Sequence, residues 1–184
     1  VDVVLSNGFR FCPPRIADSS GLVPITEGYL YDMLPVEATV RTGKVKGRQL
    51  LDWLEKELQN VFAEDASNRF GGWVVRFKGM QVDFKAFADF GERVQRVVIG
   101  GEPLDLDRTY SICACEREGD PDDVLCRMTG VSDTNNTEFT LHGVVKEYLK
   151  EFSPVNPELR HDSRVLDAPA SLLSQVSGVD YQFV

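Results

Sequence analysis

Hydrophobic residues recur along this chain with two periods. From Lys46 onward, Leu50, Leu51, Leu54, Leu58, Val61 and Phe62 share one face of a 3.6-residue repeat, which predicts a long amphipathic helix. A second stripe, Leu141, Val144, Val145, Tyr148, Leu149 and Phe152, follows Thr140, whose hydroxyl suits an N-cap, and ends before Pro154. A shorter helix opens at Ile25-Thr26-Glu27 and runs to Leu34, where Pro35 stops it.

The other period is that of strands. Asp2 to Ser6, Ala38 to Val45, Trp73 to Phe77, Gln81 to Phe84, Arg93 to Ile99 and Thr109 to Cys115 are short apolar or β-branched runs separated by turn residues such as Asn7-Gly8 and Gly100-Gly101. Consecutive strands joined by turns predict antiparallel pairing. Helical and strand runs are segregated, which predicts an α+β domain with a mixed or antiparallel sheet and packed helices. After Leu166 the pattern is lost. The chain therefore reads as one domain over 1–166 followed by a C-terminal tail, 167–184, that either docks or is disordered. The sequence contains no internal repeat and no linker long enough to separate two domains.

Composition narrows the function classes. With 184 residues, 42 % hydrophobic and 27 % charged, the chain can bury a core of ordinary size. Twenty basic against 29 acidic residues give a net charge of −9, so no basic stripe exists to neutralise a nucleic-acid backbone and nucleic acid is excluded as the expected partner. No run approaches the roughly 20 apolar residues that span a bilayer. Val1 to Arg10 lacks the basic and apolar regions of a signal peptide, which is expected to be absent or already removed.

Cys12, Cys113, Cys115 and Cys126 lack the spacing of a structural zinc site, and only His142 and His161 are available as nitrogen ligands. Cys113 and Cys115 lie two apart in a strand and so share a face, a pattern commoner for buried thiols than for a bridge. A cysteine nucleophile would need a partner histidine that no motif supplies. His142 falls at the start of the last helix and His161 in a polar segment, so neither is assigned a catalytic role. Asp120, Asp122 and Asp123 depart from the order of an EF-hand loop and read as a solvated acidic turn.

Four segments, taken in order, resemble the C-terminal domain of the 5′-nucleotidase family. They are Ser6-Asn7-Gly8-Phe9-Arg10; Pro24-Ile25-Thr26 with Leu34-Pro35; Gly71-Gly72-Trp73 through Gly79-Met80-Gln81; and Gly101-Glu102-Pro103-Leu104-Asp105 with Thr109-Tyr110. Tyr148-Leu149-Lys150, Ser153-Pro154-Val155 and Arg164-Val165 are similar to the helix and exit strand that close this domain. Gly8-Phe9-Arg10 and Gly79-Met80-Gln81 look nearest to the branch of the family that contains the Sox thiosulfohydrolases.

The resemblance implies a substrate-recognition domain from a two-domain hydrolase acting on nucleotides or related phosphate esters, outside the cytoplasm or in the periplasm. A separate N-terminal metallophosphoesterase domain would hold a divalent metal pair, such as zinc or manganese. Two histidines are too few for such a site here, so the isolated chain is expected to be inactive. The implied partners are a small anionic substrate and that N-terminal domain.

By the same resemblance, Arg10 contacts the anionic group of the substrate through its planar fork of donors. Asn7 shares that loop, and the Trp73 indole stacks on a base. The alternatives are an arginine that is exposed or in an internal ion pair, an Asn-Gly turn, and a core tryptophan.

Two departures from the family pattern bear on the substrate. The first loop lacks two glycines, and Gly119-Asp120-Pro121-Asp122-Asp123 carries no aromatic to complete a clamp. One-sided stacking forfeits roughly 1–3 kcal/mol, enough to leave non-nucleotide esters open. A non-catalytic interaction module using the Phe9 to Pro14 loop is the rival reading, since a fold alone does not imply a function.

Overall fold

In the computed structural model, residues 1–6, 15–70, 76–115, 119–156 and 162–167 are described. The long amphipathic period forms α2 (Gly47–Phe62), as the sequence predicts. Its Leu50, Trp53 and Leu54 are buried in one cluster with Val3, Leu5, Val45, Tyr110, Ile112, Met80, Val82, Val97 and Ile99, while Leu58 packs with Phe84 and Ala86. The helix starts tightly against a neighbouring loop. The Gly47 and Arg48 amides donate to the carbonyls of Arg108 and Leu106, each at 3.0 Å, so two orphan donors of the first turn find partners.

Nine strands form two sheets among the described residues. The central sheet has the order β3 (Arg76–Lys78), β1 (Val3–Ser6), β7 (Thr109–Cys115), β2 (Thr39–Lys46), β8 (Ser132–Thr140). The second sheet has the order β6 (Glu102–Pro103), β5 (Val94–Ile99), β4 (Met80–Phe84), β9 (Ser163–Val165). Antiparallel pairing holds for β4 with β5 and for β5 with β6. Two pairs are parallel, β1 with β7 and β4 with β9, so both sheets are mixed, in agreement with the expected α+β domain, although turn chemistry alone points only to antiparallel pairs. Each parallel pair joins strands remote in sequence, beyond the reach of a turn-based argument. The chain also changes sheet between β3 and β4, at Gly79.

The strand β8 goes unread in the sequence because Ser-Asp-Thr-Asn-Asn-Thr-Glu-Phe-Thr has no apolar alternation. It is an edge strand, largely exposed, with two register shifts against β2. Polar side chains help to hold it: Thr137 Oγ1 donates to the Val40 carbonyl at 2.6 Å, and Lys44 Nζ pairs with Asp133 at 2.9 Å.

The remaining helices, α1 (Glu27–Met33) and α3 (Leu141–Phe152), are capped by Thr26 and Thr140, whose hydroxyls accept from the Tyr29 and Gly143 amides at 3.2 Å. His142 is fully buried, donates from Nε2 to the Leu34 carbonyl at 2.6 Å and lies 4.2 Å from the Tyr31 ring. It serves to join α3 to the end of α1. The stripe of α3 differs from that of α2: Val144, Tyr148 and Phe152 remain exposed.

Glu57 of α2 is 1 % exposed and pairs with Arg127. Arg127 and Cys126 occupy a tight turn, both at positive φ (66° and 49°), closed by reciprocal bonds between Leu125 and Met128 at 3.0 and 2.9 Å. Non-glycine residues there carry strain. The Trp53 indole donates to the Cys126 carbonyl at 3.0 Å, so α2 pins the turn from two sides.

Both the sheet crossing and the buried carboxylate lend themselves to measurement. A Cβ on Gly79 would lie 2.1 Å from the Asp2 carbonyl oxygen, at a φ of +96°. Gly79→Ala should therefore cost about 2–4 kcal/mol in urea unfolding. Burial raises the Glu57 carboxyl above its ordinary 4.5, outweighing the attraction of Arg127. The folded state then holds this proton more tightly than the unfolded chain, and the residue's contribution to stability falls as pH rises from about 4.5 through the raised value. Relative to Glu57→Gln, the native protein should gain stability on acidification from pH 7 toward 4; a flat or opposite difference would refute this assignment.

Candidate functional site

The register of the central sheet gathers several segments at one end. Ser6 pairs with Arg76, so the C-terminal end of β1 and the N-terminal end of β3 lie side by side. Because β1 runs parallel to β7, the end of β7 lies there too. Val40 opposite Cys115 and Thr39 opposite Thr140 add the start of β2 and the end of β8. Asn7 and Arg10 follow β1, Trp73 precedes β3, and the acidic turn from Gly119 follows β7. Asn7, Arg10, Trp73 and His161 lie outside the described residues. The strands that bracket the first three are hydrogen-bonded neighbours.

A side-chain clamp holds β1 in place. The Asp2 carboxylate accepts from the Ser111 amide and hydroxyl, both at 2.7 Å, and the Asp2 amide donates to the Ser111 carbonyl at 3.0 Å. The Ser111 hydroxyl and amide, with help from Arg108, hold the Asp2 carboxyl below its ordinary value. This fixes the strand that leads into the Asn7 to Pro14 segment.

Cys113, on the same strand as Ser111, is a free, half-buried thiol whose pKa is pushed up by burial. A protonated thiol is a poor nucleophile. This agrees with the sequence reading of a buried thiol rather than a catalytic one.

The residue that sequence reasoning missed is Arg41. It lies in β2, two residues from the strand's start, opposite Ala114 of β7, and is 6 % exposed. Its Nη2 bonds Asp122 Oδ1 at 3.0 Å. The acidic turn is thus not merely solvated, because one of its carboxylates reaches back to a buried cation. The signal in the sequence was the alternation itself: Arg41 occupies the same strand face as Gly43 and Val45, where an apolar residue is the usual choice.

A separate cleft of about 520 Å³ lies between the C-terminal end of α2 and the β4–β5 connection, lined by Gln59, Glu64, Asp65, Asp89, Phe90 and Arg93 among others. Arg93 is buried and bonds the Ala86 carbonyl, Gln59 Oε1 at 3.0 Å and the Phe62 carbonyl at 3.3 Å. Among the described residues, no group of three or more His, Cys, Asp or Glu side chains could hold a metal ion, so the residues present there do not fit a metal pair. No helix among them is long and apolar enough to cross a membrane.

Comparison with known proteins bears on the fold. The family model described as 5′-nucleotidase, C-terminal domain, matches residues 1–116. A 5′-nucleotidase precursor from Thermus thermophilus is 26 % identical, with a TM-score of 0.66 over 91 % of this chain and 32 % of its own. The sulfate thiohydrolase SoxB from Thermus thermophilus is 24 % identical, with a TM-score of 0.69 over 94 % of this chain and 30 % of its own. The NAD nucleotidase NadN of Haemophilus influenzae, at 16 % identity and a TM-score of 0.57 over 90 % of this chain and 28 % of its own, shares the fold. No curated protein matches. The chain spans about a third of the length of these solved structures.

The Asp2 clamp gives a pH test. A depressed carboxyl contributes stability above its ordinary 3.8 and loses it as pH falls through the folded value. Asp2→Asn should cost about 1 kcal/mol at pH 7, a charge-assisted bond discounted for partial exposure. In urea titrations the deficit should shrink below pH 3.8; a deficit that persists undiminished at about pH 2 would rule out the charge as its source.

Proposed function

Because the chain belongs to the family of 5′-nucleotidase C-terminal domains, we propose that it is the substrate-binding part of a two-domain hydrolase acting on nucleotide or related phosphate esters. The observation that carries this reading is the pairing of β1 with β3, which sets the strand ends flanking Asn7, Arg10 and Trp73 beside one another. In this reading Arg10 holds the anionic group, Asn7 supports it from the same loop, and Trp73 stacks on the base or another flat group. The divalent metal pair, such as zinc or manganese, belongs to an N-terminal metallophosphoesterase domain and supplies the nucleophile and charge neutralisation there. This chain supplies binding and orientation. Such positioning is a large part of catalysis when two halves of a site meet.

The description of the Thermus thermophilus 5′-nucleotidase as a precursor supports a parent protein that acts in the periplasm or outside the cell. A second reading, an interaction module that keeps the fold without catalysis, draws on the exposed stripe Val144, Tyr148 and Phe152 of α3.

Calorimetric titration of AMP, adenosine and thiosulfate into the chain separates the two. AMP should bind, about tenfold or more weakly in Arg10→Ala through loss of a charge-assisted contact. Trp73→Ala should weaken AMP and adenosine together, by about tenfold. Thiosulfate binding without adenosine binding would move the substrate class toward small oxyanions. Absence of binding by all three would refute the substrate-binding reading and leave the interaction module.

A further inference from the structure

We infer that Arg41 is a second anion-binding group of this chain, held in reserve by Asp122, and that a phosphate, sulfate or carboxylate group of the ligand takes the place of Asp122 on it. The inference rests on the reading that a ligand binds at this end of the central sheet.

Two buried arginines show what is unusual about this one. Arg93 is 4 % exposed and is held by three acceptors, two of them backbone carbonyls. Neutral acceptors drawn from the fold itself hold both of its terminal nitrogens, although its Nε, like that of Arg41, is buried without an acceptor. Arg41 is 6 % exposed, yet its one hydrogen bond among the described residues is to Asp122, and its Nε is buried without an acceptor. A guanidinium offers five donors in a fixed plane. Most of them find no acceptor among the described residues, in a group whose burial should demand partners.

The single partner is also of an unusual kind. The Asp122 side chain is 96 % exposed, so it remains hydrated while it touches a buried cation. Its departure into water costs little desolvation. The cation it leaves behind is bound to strand β2, between β7 and β8, and has little freedom to follow. An incoming oxyanion can then take the Nη2 that Asp122 leaves.

The position fits a ligand role. Arg41 lies opposite Ala114, on the strand whose end carries the acidic turn, and β7 is in turn hydrogen-bonded to β1, the strand that leads into Asn7. The group recognised is a compact oxyanion. A neutral nucleoside gives Arg41 nothing to exchange for Asp122.

The test uses the whole chain and four probes: AMP, adenosine, inorganic sulfate and thiosulfate, titrated calorimetrically into the native protein, Asp122→Asn and Arg41→Lys. With the competing carboxylate removed, Asp122→Asn should bind AMP or sulfate about fivefold tighter and adenosine unchanged. Arg41→Lys should weaken the anions by about tenfold, since an ammonium does not reproduce the fork, with circular dichroism establishing that it folds. If Arg41→Lys does not fold, Asp122→Asn decides. Equal or weaker anion binding by Asp122→Asn overturns the inference. When AMP binding still depends on Arg10 in that case, the proposed function survives it; when no probe binds to any of the three proteins, both fall.

Discussion

Two sheets of this domain share one helix, and the burial of that helix is the constraint on which the rest depends. Leu50, Trp53 and Leu54 of α2 lie in a cluster fed by β1, β2, β4, β5 and β7, while Leu58 reaches Phe84 at the end of β4. Side chains of this kind contribute roughly 1.5–3 kcal/mol each on burial. Strand β4 also reaches both clusters, through Met80 and Val82 in the first and Phe84 in the second, and α2 packs along it. Remove the helix face and the two sheets lose their common packing surface.

The same helix organises the polar part of the interior. Glu57 and the Trp53 indole hold the Cys126-Arg127 turn in a backbone conformation that non-glycine residues resist. That turn follows the acidic segment that contacts Arg41, and Leu125 at its start lies 3.3 Å from a Cβ placed on Gly43. The position of Asp122 over β2 thus depends on contacts made on α2, several residues away in the turn. Local strain is tolerated because packing around it over-determines the geometry.

Charge is distributed accordingly. An acidic chain keeps Arg41, Arg93 and to a lesser degree Arg127 out of water, each with different partners: an exposed carboxylate, neutral acceptors and a buried carboxylate. The first arrangement leaves most donors without an acceptor among the described residues. The Nε of Arg93 is buried without an acceptor as well, so what sets Arg41 apart is that its one partner among the described residues is an exposed carboxylate.

The sequence by itself determined the three helices to within a residue or two, the Thr140 cap of the last one, six of the strands and the family to which the chain belongs. Each of the structural elements rests on short-range physics: a 3.6-residue period, a hydroxyl ahead of a helix, a proline or a glycine pair at a stop. It also named Asn7, Arg10 and Trp73, which lie outside the described residues. What only the tertiary structure decided was which strands pair. The parallel unions of β1 with β7 and β4 with β9 join residues far apart in the chain, and neither period nor turn chemistry carries information over that distance. The polar edge strand β8 and the role of Arg41 were hidden for the same reason. An edge strand need bury nothing, and a charged residue in a strand acquires meaning only when the fold shows which carboxylate, and how exposed a one, it has been given as a partner.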